Sequence, residues 1–390
     1  MGERVAGLLS GTSVDGIDVA VADLRLNGEE VVLTPAGFLE VPYPAGLRED
    51  LLAALPPART TAEQLTKLDT RVGQAFAEAV QQGLDRFGPA DLVASLGQTV
   101  FHWVEDGRAR GTLQLGRPAW IAERTGLPVV ADLRARDVAA GGHGAPLAST
   151  LDRLWLRELA ESTGRPAVAL NIGGIANVTV VQPDGEAIAY DTGPGNALLD
   201  LAALRTTGRP RDENGELASK GRVDEDLLRR LLAEPYYAAA PPKSTGKELF
   251  HSAYLDDVLA TTAPEDLLAT LTELTAHTIA AACRDAGTVV ASGGGVENPA
   301  LMRALSAKLR ARLLTSDDLG LPRAAKEAYL TALLGWLTWH GLPANVPSAT
   351  GARGLRLLGS ITPGAAPLTL PPPHPVAVTR LRVATGGPEE

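Results

Sequence analysis

Short apolar runs separated by glycine- and hydroxyl-rich segments are the main pattern of the first part of the chain. Residues 5–9 and 17–24 are apolar and the segment between them is polar, which predicts two strands joined by a turn. Residues 61–87 carry apolar side chains at helical spacing and predict an amphipathic helix. Two further runs, 91–95 and 128–131, predict short buried strands that end in polar residues.

The same order of elements recurs in the second half. Residues 167–171 predict a strand that ends in two glycines, 176–181 its hairpin partner, and 187–190 a third strand. A predicted helix over 266–286 then precedes a predicted strand over 288–292. Because hairpin, helix and strand occur twice, we expect two duplicated lobes that face one another across a cleft.

The length supports two lobes, since 390 residues exceed what one hydrophobic core usually serves. We expect an N-terminal lobe over 1–150, joined by a C-terminal segment at about 345–362. The second lobe is expected over 151–344, with a mainly helical insertion at about 200–262. The proline-rich residues 363–390 predict a partly ordered tail without a role in the chemistry.

The composition limits the classes of binding partner and the cellular compartment that we expect. The formal charge of −10 argues against a nucleic-acid or anionic-membrane surface, although backbone N–H groups could still bind phosphate. Cys283 is the only cysteine, so no intrachain disulfide can form and a reducing cytosol is expected. We see neither a signal peptide nor an apolar stretch of about 20 residues, which predicts a soluble cytoplasmic protein.

Two glycine loops are candidate phosphate-binding sites. Residues 10–18 place three hydroxyls, two carboxylates and two glycines between predicted strands, a set suited to an oxyanion and to hydrated Mg²⁺. The alternative is a plain hairpin turn, although such a turn needs only two residues. Residues 171–177 form a similar loop around Gly173 and Gly174, and two such hairpins could hold a polyphosphate from opposite sides.

Asp191 is the candidate general base. It follows a short predicted strand, in a segment that contains a proline and two glycines, where a carboxylate can accept a proton from a hydroxyl or water. The alternative is that Asp191 caps a helix that starts near Asn196.

The triple glycine Gly293, Gly294 and Gly295 lies between a predicted strand and a predicted helix over 300–311. Its spacing does not match a Rossmann fingerprint, and we expect close approach of a flat base or a ribose. The alternative is a close-packed turn between the strand and the helix.

Other site classes lack support. The six histidines and the single cysteine show no zinc-ligand spacing, so no metal-ligating protein cluster is predicted. A Walker loop and the Gly-x-Ser-x-Gly motif of α/β-hydrolases are absent.

Eight segments, in order, resemble the anhydro-N-acetylmuramic acid kinases, a family of the acetate/sugar kinase, Hsp70 and actin superfamily. The segments are LSGTSVDGID (9–18), DLRARD (132–137), GGHGAPL (141–147), NIGGIAN (171–177), DTGPGN (191–196), PPKSTGKELF (241–250), GGGVEN (293–298) and KEA (326–328). The resemblance extends to about Gly359. It implies an α/β fold of two duplicated actin/hexokinase-type (ribonuclease H-like) lobes with an interlobe cleft.

The resemblance also implies an activity and its residues. ATP would be bound, with Mg²⁺, by Gly11, Thr12, Ser13, Val14, Asp15, Gly16, Ile17 and Asp18. Gly173, Gly174 and the triple glycine are further candidate contacts, and Asp191 would be the general base. Gln98, Arg134 and Glu327 are candidate contacts to the sugar, with Arg134 opposite its lactyl carboxylate. Leu96 stands where the family usually has histidine, and a homodimer is a family-based expectation.

The implied reaction opens 1,6-anhydro-N-acetylmuramic acid with water while O6 takes the γ-phosphate of ATP. The products would be N-acetylmuramic acid 6-phosphate and ADP, within peptidoglycan recycling. Three alternatives stay open: a kinase of the same fold for an ordinary sugar hydroxyl or a carboxylate, a glycoside hydrolase, and a non-catalytic ATP-driven switch.

Overall fold

The chain divides into two compact units. The computed structural model describes residues 2–246, 249–256, 262–372, 374 and 376–384. The first unit contains the residues up to Trp155 and those from Gly320 onward, and the second is Leu156–Leu319.

Thirteen strands and twelve α-helices lie in the described residues. The strands are β1 (Gly2–Ser10), β2 (Ile17–Asn27), β3 (Glu30–Val41), β4 (Leu92–Glu105), β5 (Arg108–Leu115), β6 (Val129–Ala131), β7 (Ala167–Ile172), β8 (Ile175–Val181), β9 (Ala187–Pro194), β10 (Thr288–Ser292), β11 (Arg312–Thr315), β12 (Ser360–Thr362) and β13 (Arg380–Val383). The helices are α1 (Leu47–Ala54), α2 (Ala62–Phe87), α3 (Pro118–Thr125), α4 (Ala135–Ala139), α5 (Ala148–Thr163), α6 (Ala197–Thr207), α7 (Glu225–Leu232), α8 (Pro235–Ala238), α9 (Pro264–Ala282), α10 (Pro299–Lys308), α11 (Lys326–Trp339) and α12 (Pro347–Thr350).

An eight-stranded sheet forms the centre of the first unit. Its order is β12-β6-β4-β1-β2-β3-β13, and β5 pairs with β4. β1, β2 and β3 form an antiparallel meander, β4 runs parallel to β1, and β6 runs parallel to β4. The loop that follows β1 and the end of β4 therefore lie at the same edge of the sheet.

Two long helices cover this sheet. The N-terminus of α2 is fixed by a capping box, in which Thr61 and Gln64 each accept a hydrogen bond from the other's backbone N–H. Its apolar face packs in the core with β1, β2 and β4. α11 packs so closely on β1 that a Cβ at Gly7 would collide with the backbone of Ala328 and Ala332.

The second unit repeats the pattern. Its five-stranded sheet has the order β11-β10-β7-β8-β9, with β7, β8 and β9 antiparallel, β10 parallel to β7, and β11 parallel to β10. This matches β6-β4-β1-β2-β3 of the first unit strand by strand. The predicted α/β fold of two duplicated actin/hexokinase-type (ribonuclease H-like) lobes is therefore confirmed by topology.

The boundaries differ from the predicted ones. α11 lies in the range 151–344 assigned to the second lobe, but it belongs to the first unit because it packs on β1, β2 and β4. The tail 363–390 contains β13, which pairs with β3 in parallel and buries Leu381. The predicted helical insertion at about 200–262 contains α7 and α8 and most of α6; its residues 247–248 and 257–261 lie outside the described residues.

Candidate active site

The loop between β1 and β2 contains most of the first group of predicted ATP ligands. A turn within the loop is closed by a backbone hydrogen bond, in which the Val14 N–H donates to the Gly11 carbonyl at 3.1 Å. The φ of Val14 is 56°. The side chains of Val14 and Ile17 are fully buried in the core, so these two residues can offer a ligand only backbone groups. The exposed members of the loop are Thr12, Ser13 and Asp15.

Side chains from outside the loop hold its shape. Gln98 is 0% exposed; its Nε2 donates to the Gly11 carbonyl at 3.1 Å, and its Oε1 accepts from the Tyr43 hydroxyl at 3.0 Å. Arg48 Nε donates to the Val14 carbonyl at 2.9 Å. Because both ends of the Gln98 amide are occupied by protein groups, Gln98 supports the loop, which differs from the predicted contact with the sugar.

Asp18 lies at the start of β2 among other carboxylates. It pairs with Leu9 of β1 on one side and with Glu40 of β3 on the other. Burial, with the charges of Glu40 and Glu327 added, raises the pKa of Asp18 to about 7. Glu327 comes from the first turn of α11, so the helix places a predicted sugar contact next to a predicted ATP ligand. Such a site favours a proton or a cation.

Arg134 is the cation of this cluster. Burial lowers its pKa, while the negative charge of Glu327 acts in the opposite direction. Its Nη1 donates to the Gly144 carbonyl at 2.7 Å, whereas its Nε is buried and has no hydrogen-bond partner among the described residues. A buried N–H without a partner is costly, so this group is suited to an anionic oxygen of a ligand.

His102 and His143 were not predicted as site residues, yet they lie near Arg134. Burial and the positive charges of Arg134 and His143 lower the pKa of His102. His102 belongs to β4, four residues after Gln98, and His143 lies in the segment 141–147 of the resemblance. The sequence therefore contained a motif that could have identified His143 as a site residue. Identifying His102 required knowing that β4 extends to Glu105, which was not predicted.

The glycine turn of the second unit is fixed by the segment that follows β9. The carbonyl of Gly174 accepts the N–H groups of Gly195 and Ala197 at 2.9 and 3.0 Å, and that of Gly173 accepts the N–H of Asn196 at 2.8 Å. A Cβ at Gly195 would collide with the carbonyl of Gly173. Since the carbonyls are bound, the turn can present only its N–H side to a ligand, as phosphate binding requires.

The triple glycine serves two purposes. A Cβ at Gly293 or Gly295 would collide with the end of β7 at Ile172, so these positions form the close-packed turn that was the alternative interpretation. A Cβ at Gly294 would meet no atom within 4 Å, and this residue is exposed. Only Gly294 therefore leaves room for a base or ribose to approach. Asn298 then caps α10 by accepting from the N–H groups of Ala300 and Leu301 at 3.0 and 3.2 Å.

Asp191 is held inside β9, which extends past the predicted end at residue 190. Its Oδ2 accepts the backbone N–H of Thr245 at 3.0 Å, and its carbonyl accepts the Tyr236 hydroxyl at 2.7 Å. The helix after this strand begins at Ala197 with Asn196 as N-cap and has no side-chain cap, so Asp191 does not cap it. The capping alternative is therefore wrong.

Lys243 orders the segment that supports Asp191, and it was not among the predicted site residues. Its Nζ donates to the carbonyls of Tyr236 and Tyr237 at 3.0 and 3.1 Å and lies 4.7 Å from the centre of the Tyr236 ring. Its own carbonyl accepts the Asp191 N–H at 3.2 Å. The segment 241–250 of the resemblance contains Lys243 and Thr245, which was the available signal.

The described residues contain neither a metal-ligating cluster nor a membrane-spanning helix. No group of three or more His, Cys, Asp or Glu side chains in that part of the chain could hold a metal ion. No helix among those residues is long and apolar enough to cross a membrane.

Comparison with known proteins identifies the family. Residues 3–364 match the family described as anhydro-N-acetylmuramic acid kinase. The anhydro-N-acetylmuramic acid kinase of Streptomyces avermitilis is 58% identical over 380 residues, which cover 95% of this chain and 97% of that one. Those of Streptomyces coelicolor and Rhodococcus erythropolis are 55% and 50% identical and cover 99% and 93% of this chain, and 100% and 94% of their own. The chain belongs to the anhydro-N-acetylmuramic acid kinase family.

Proposed function

We propose that this protein is an ATP-dependent kinase that hydrolytically opens 1,6-anhydro-N-acetylmuramic acid and phosphorylates its O6. The products are N-acetylmuramic acid 6-phosphate and ADP, which places the reaction in peptidoglycan recycling. Family membership over residues 3–364 supports the activity. The observation that carries the chemistry is the carboxylate of Asp191, held by the Thr245 N–H at 3.0 Å.

Asp191 acts as the general base. In the 1,6-anhydro sugar O6 is part of an internal acetal and has no proton to lose, so the C1–O6 bond must break as the phosphoryl group is transferred. Asp191 accepts a proton from a water molecule, the water oxygen bonds to C1, and O6 leaves C1 and bonds to the γ-phosphorus of ATP. The bond from that phosphorus to the bridging oxygen breaks, and ADP leaves with its electron pair.

Backbone N–H groups bind the phosphates in this proposal. The loop Gly11–Gly16 and the turn Gly173–Gly174 offer such groups in the first and second units, and Gly294 leaves space for the base or ribose. The exposed hydroxyls of Thr12 and Ser13 add donors. The sugar is bound through its carboxylate by Arg134, whose Nε has no other partner among the described residues.

Mg²⁺ fits the first unit through Asp18. Mg²⁺ in kinases is usually held by one or two carboxylates, phosphate oxygens and water. The raised pKa of Asp18, caused by burial and by Glu40 and Glu327, indicates that a cation beside it would be favourable. When bound, the ion would neutralise phosphate charge during the transfer.

A product assay tests the proposal. The protein is incubated with MgATP and 1,6-anhydro-N-acetylmuramic acid, with the same sugar but no ATP, and with MgATP and N-acetylmuramic acid. A phosphomonoester in the first reaction alone, detected by ³¹P NMR, is the expected result. Ring opening without ATP would instead favour a hydrolase, and phosphorylation of N-acetylmuramic acid alone would favour an ordinary sugar kinase. ATP hydrolysis that is indifferent to either sugar would favour a switch.

The compartment and the assembly state follow the same proposal. We infer a cytoplasmic protein, because ATP is a cytoplasmic substrate and Cys283 is buried and unpaired. A homodimer stays a prediction from the family, and light scattering after size-exclusion chromatography measures it directly.

A further inference from the structure

A cavity of about 260 Å³ lies in the first unit, formed by residues that have no part in the proposed reaction. Its walls are α4, the C-terminal end of α11, β12 and the segment before it, and the proline-rich tail. Its lining residues include Arg136, Trp339, Leu357, Ile361, Leu370 and Pro371. At this volume the cavity exceeds the roughly 150 Å³ that holds benzene and approaches the lower limit of ordinary ligand pockets, about 300 Å³.

The walls favour an apolar body over water. A buried water needs about two to four polar partners. Two of the polar wall groups are already used within the protein, because Thr338 Oγ1 donates to the Leu358 carbonyl at 2.6 Å and His340 Nε2 lies 3.1 Å from Glu3 Oε2. Leu370 lines the cavity and is nevertheless 50% exposed, which is apolar surface that a ligand would remove from water.

The charge at the cavity selects an anion. Arg136 lines it, and its guanidinium makes no hydrogen bond or ion pair within the described residues. Among the residues that the structure describes, no acidic side chain lines the cavity. A planar guanidinium with free donors binds a carboxylate with two parallel hydrogen bonds.

We propose that this cavity is a binding site for a small monocarboxylate with a single ring or a short chain as its apolar body. The carboxylate pairs with Arg136, and the body lies against Trp339, Leu357 and Leu370. Two of the wall elements also carry residues of the candidate sugar site: Arg134 is the N-cap of α4, and Glu327 lies in the first turn of α11. Occupancy of the cavity is therefore expected to change the affinity for the sugar, and the sugar to change the affinity for the carboxylate by the same factor.

Three probes that share one body and differ in charge test the site. They are 3-phenylpropionate, 3-phenylpropanol and 3-phenylpropylamine, titrated into the full chain by isothermal calorimetry. The expected result is binding of 3-phenylpropionate with a Kd of about 1 mM or tighter, and binding of the alcohol and the amine at least about 10-fold weaker. Equal binding of all three would overturn the pairing with Arg136, and no binding of any would overturn the site.

Matched variants locate the binding. Arg136→Gln is expected to weaken the binding of 3-phenylpropionate about 10-fold or more. Arg108→Gln removes the same charge from an exposed arginine of the β4–β5 hairpin and should leave that affinity unchanged. Leu370→Asn removes part of the apolar wall and should weaken the binding of all three probes. If Arg136→Gln and Arg108→Gln bind alike, the anion lies elsewhere. An affinity for the sugar, measured by calorimetry, that is unchanged at saturating 3-phenylpropionate would show that the coupling is wrong.

Discussion

At the residue scale, Asp191 carries the most specific assignment. Asp191→Asn keeps an oxygen that can accept the Thr245 N–H but removes the base. We expect turnover to fall by about 10²–10⁴-fold while the affinity for ATP stays within about twofold. Single-turnover kinetics and a nucleotide titration measure the two quantities.

Asp184→Asn is the matched control for this variant. Asp184 lies in the β8–β9 turn of the same unit and accepts the Glu186 N–H at 2.9 Å, a bond that asparagine can also accept. Near-normal turnover is expected for the control. Comparable turnover in both variants would remove Asp191 from the mechanism.

Asp18 gives a pH dependence whose sign follows from its surroundings. Its pKa in the folded protein is raised from the ordinary value of 3.8 to about 7 by burial and by Glu40 and Glu327. Between these values the folded state binds the proton that the unfolded state has lost, so the contribution of Asp18 to the free energy of unfolding falls as pH rises from about 4 to about 7. Above that range the full cost of the buried charge is present.

Thermal melts of the nucleotide-free protein across this range measure the effect. Asp18→Asn is expected to flatten the fall in Tm between pH about 4 and about 7, because asparagine has no proton to lose. Asp106→Asn, in the exposed β4–β5 turn, should keep the wild-type profile. A profile for Asp18→Asn that is parallel to that of the wild type would contradict the raised pKa.

At the element scale, the triple glycine separates packing from binding. Gly295→Ala places a methyl group against Ile172, and we expect it to destabilise the protein by about 1–3 kcal/mol. In Gly294→Ala the added methyl group meets no atom within 4 Å, so the Tm should stay unchanged. The affinity for ATP should fall, because the methyl group occupies the space left for the base or ribose. Melts and nucleotide titrations of both variants check this. Normal ATP affinity in a folded Gly294→Ala would remove Gly294 from the nucleotide site.

Some of the strands and contacts could be predicted from the sequence, and others could not. Strands with a continuous apolar run, such as β1, β7 and β10, were predictable because burial on both faces leaves a clear signal. β3 and β5 were missed because their exposed residues interrupt the apolar pattern. Local motifs predicted Asp191 and the glycine turns as site residues, and these assignments stay predictions. The contacts of Gln98, Lys243 and His102 could not be predicted, because each depends on a partner far along the chain or on a strand boundary.

At the scale of the whole molecule, β13 ties the last part of the chain to the first unit. Leu381 is 4% exposed and pairs with Val31 of β3, so Leu381→Ala is expected to cost about 2–5 kcal/mol in the free energy of unfolding. Leu368→Ala, at a residue of the same tail that is 42% exposed, should change stability by less than about 0.5 kcal/mol. Urea titrations compare them. Equal stability of the two variants would mean that the tail does not contribute to the core.

In the proposed reaction, water opens the anhydro ring in the same event that phosphorylates O6. The most direct measurement is the mass spectrum of the sugar phosphate made from MgATP and 1,6-anhydro-N-acetylmuramic acid in ¹⁸O-labelled water. The expected product is N-acetylmuramic acid 6-phosphate with one ¹⁸O at C1 and none in the phosphoryl group, measured before the anomeric oxygen exchanges with water. A phosphorylated sugar with an intact anhydro ring, or with ¹⁸O in its phosphoryl group, would contradict it.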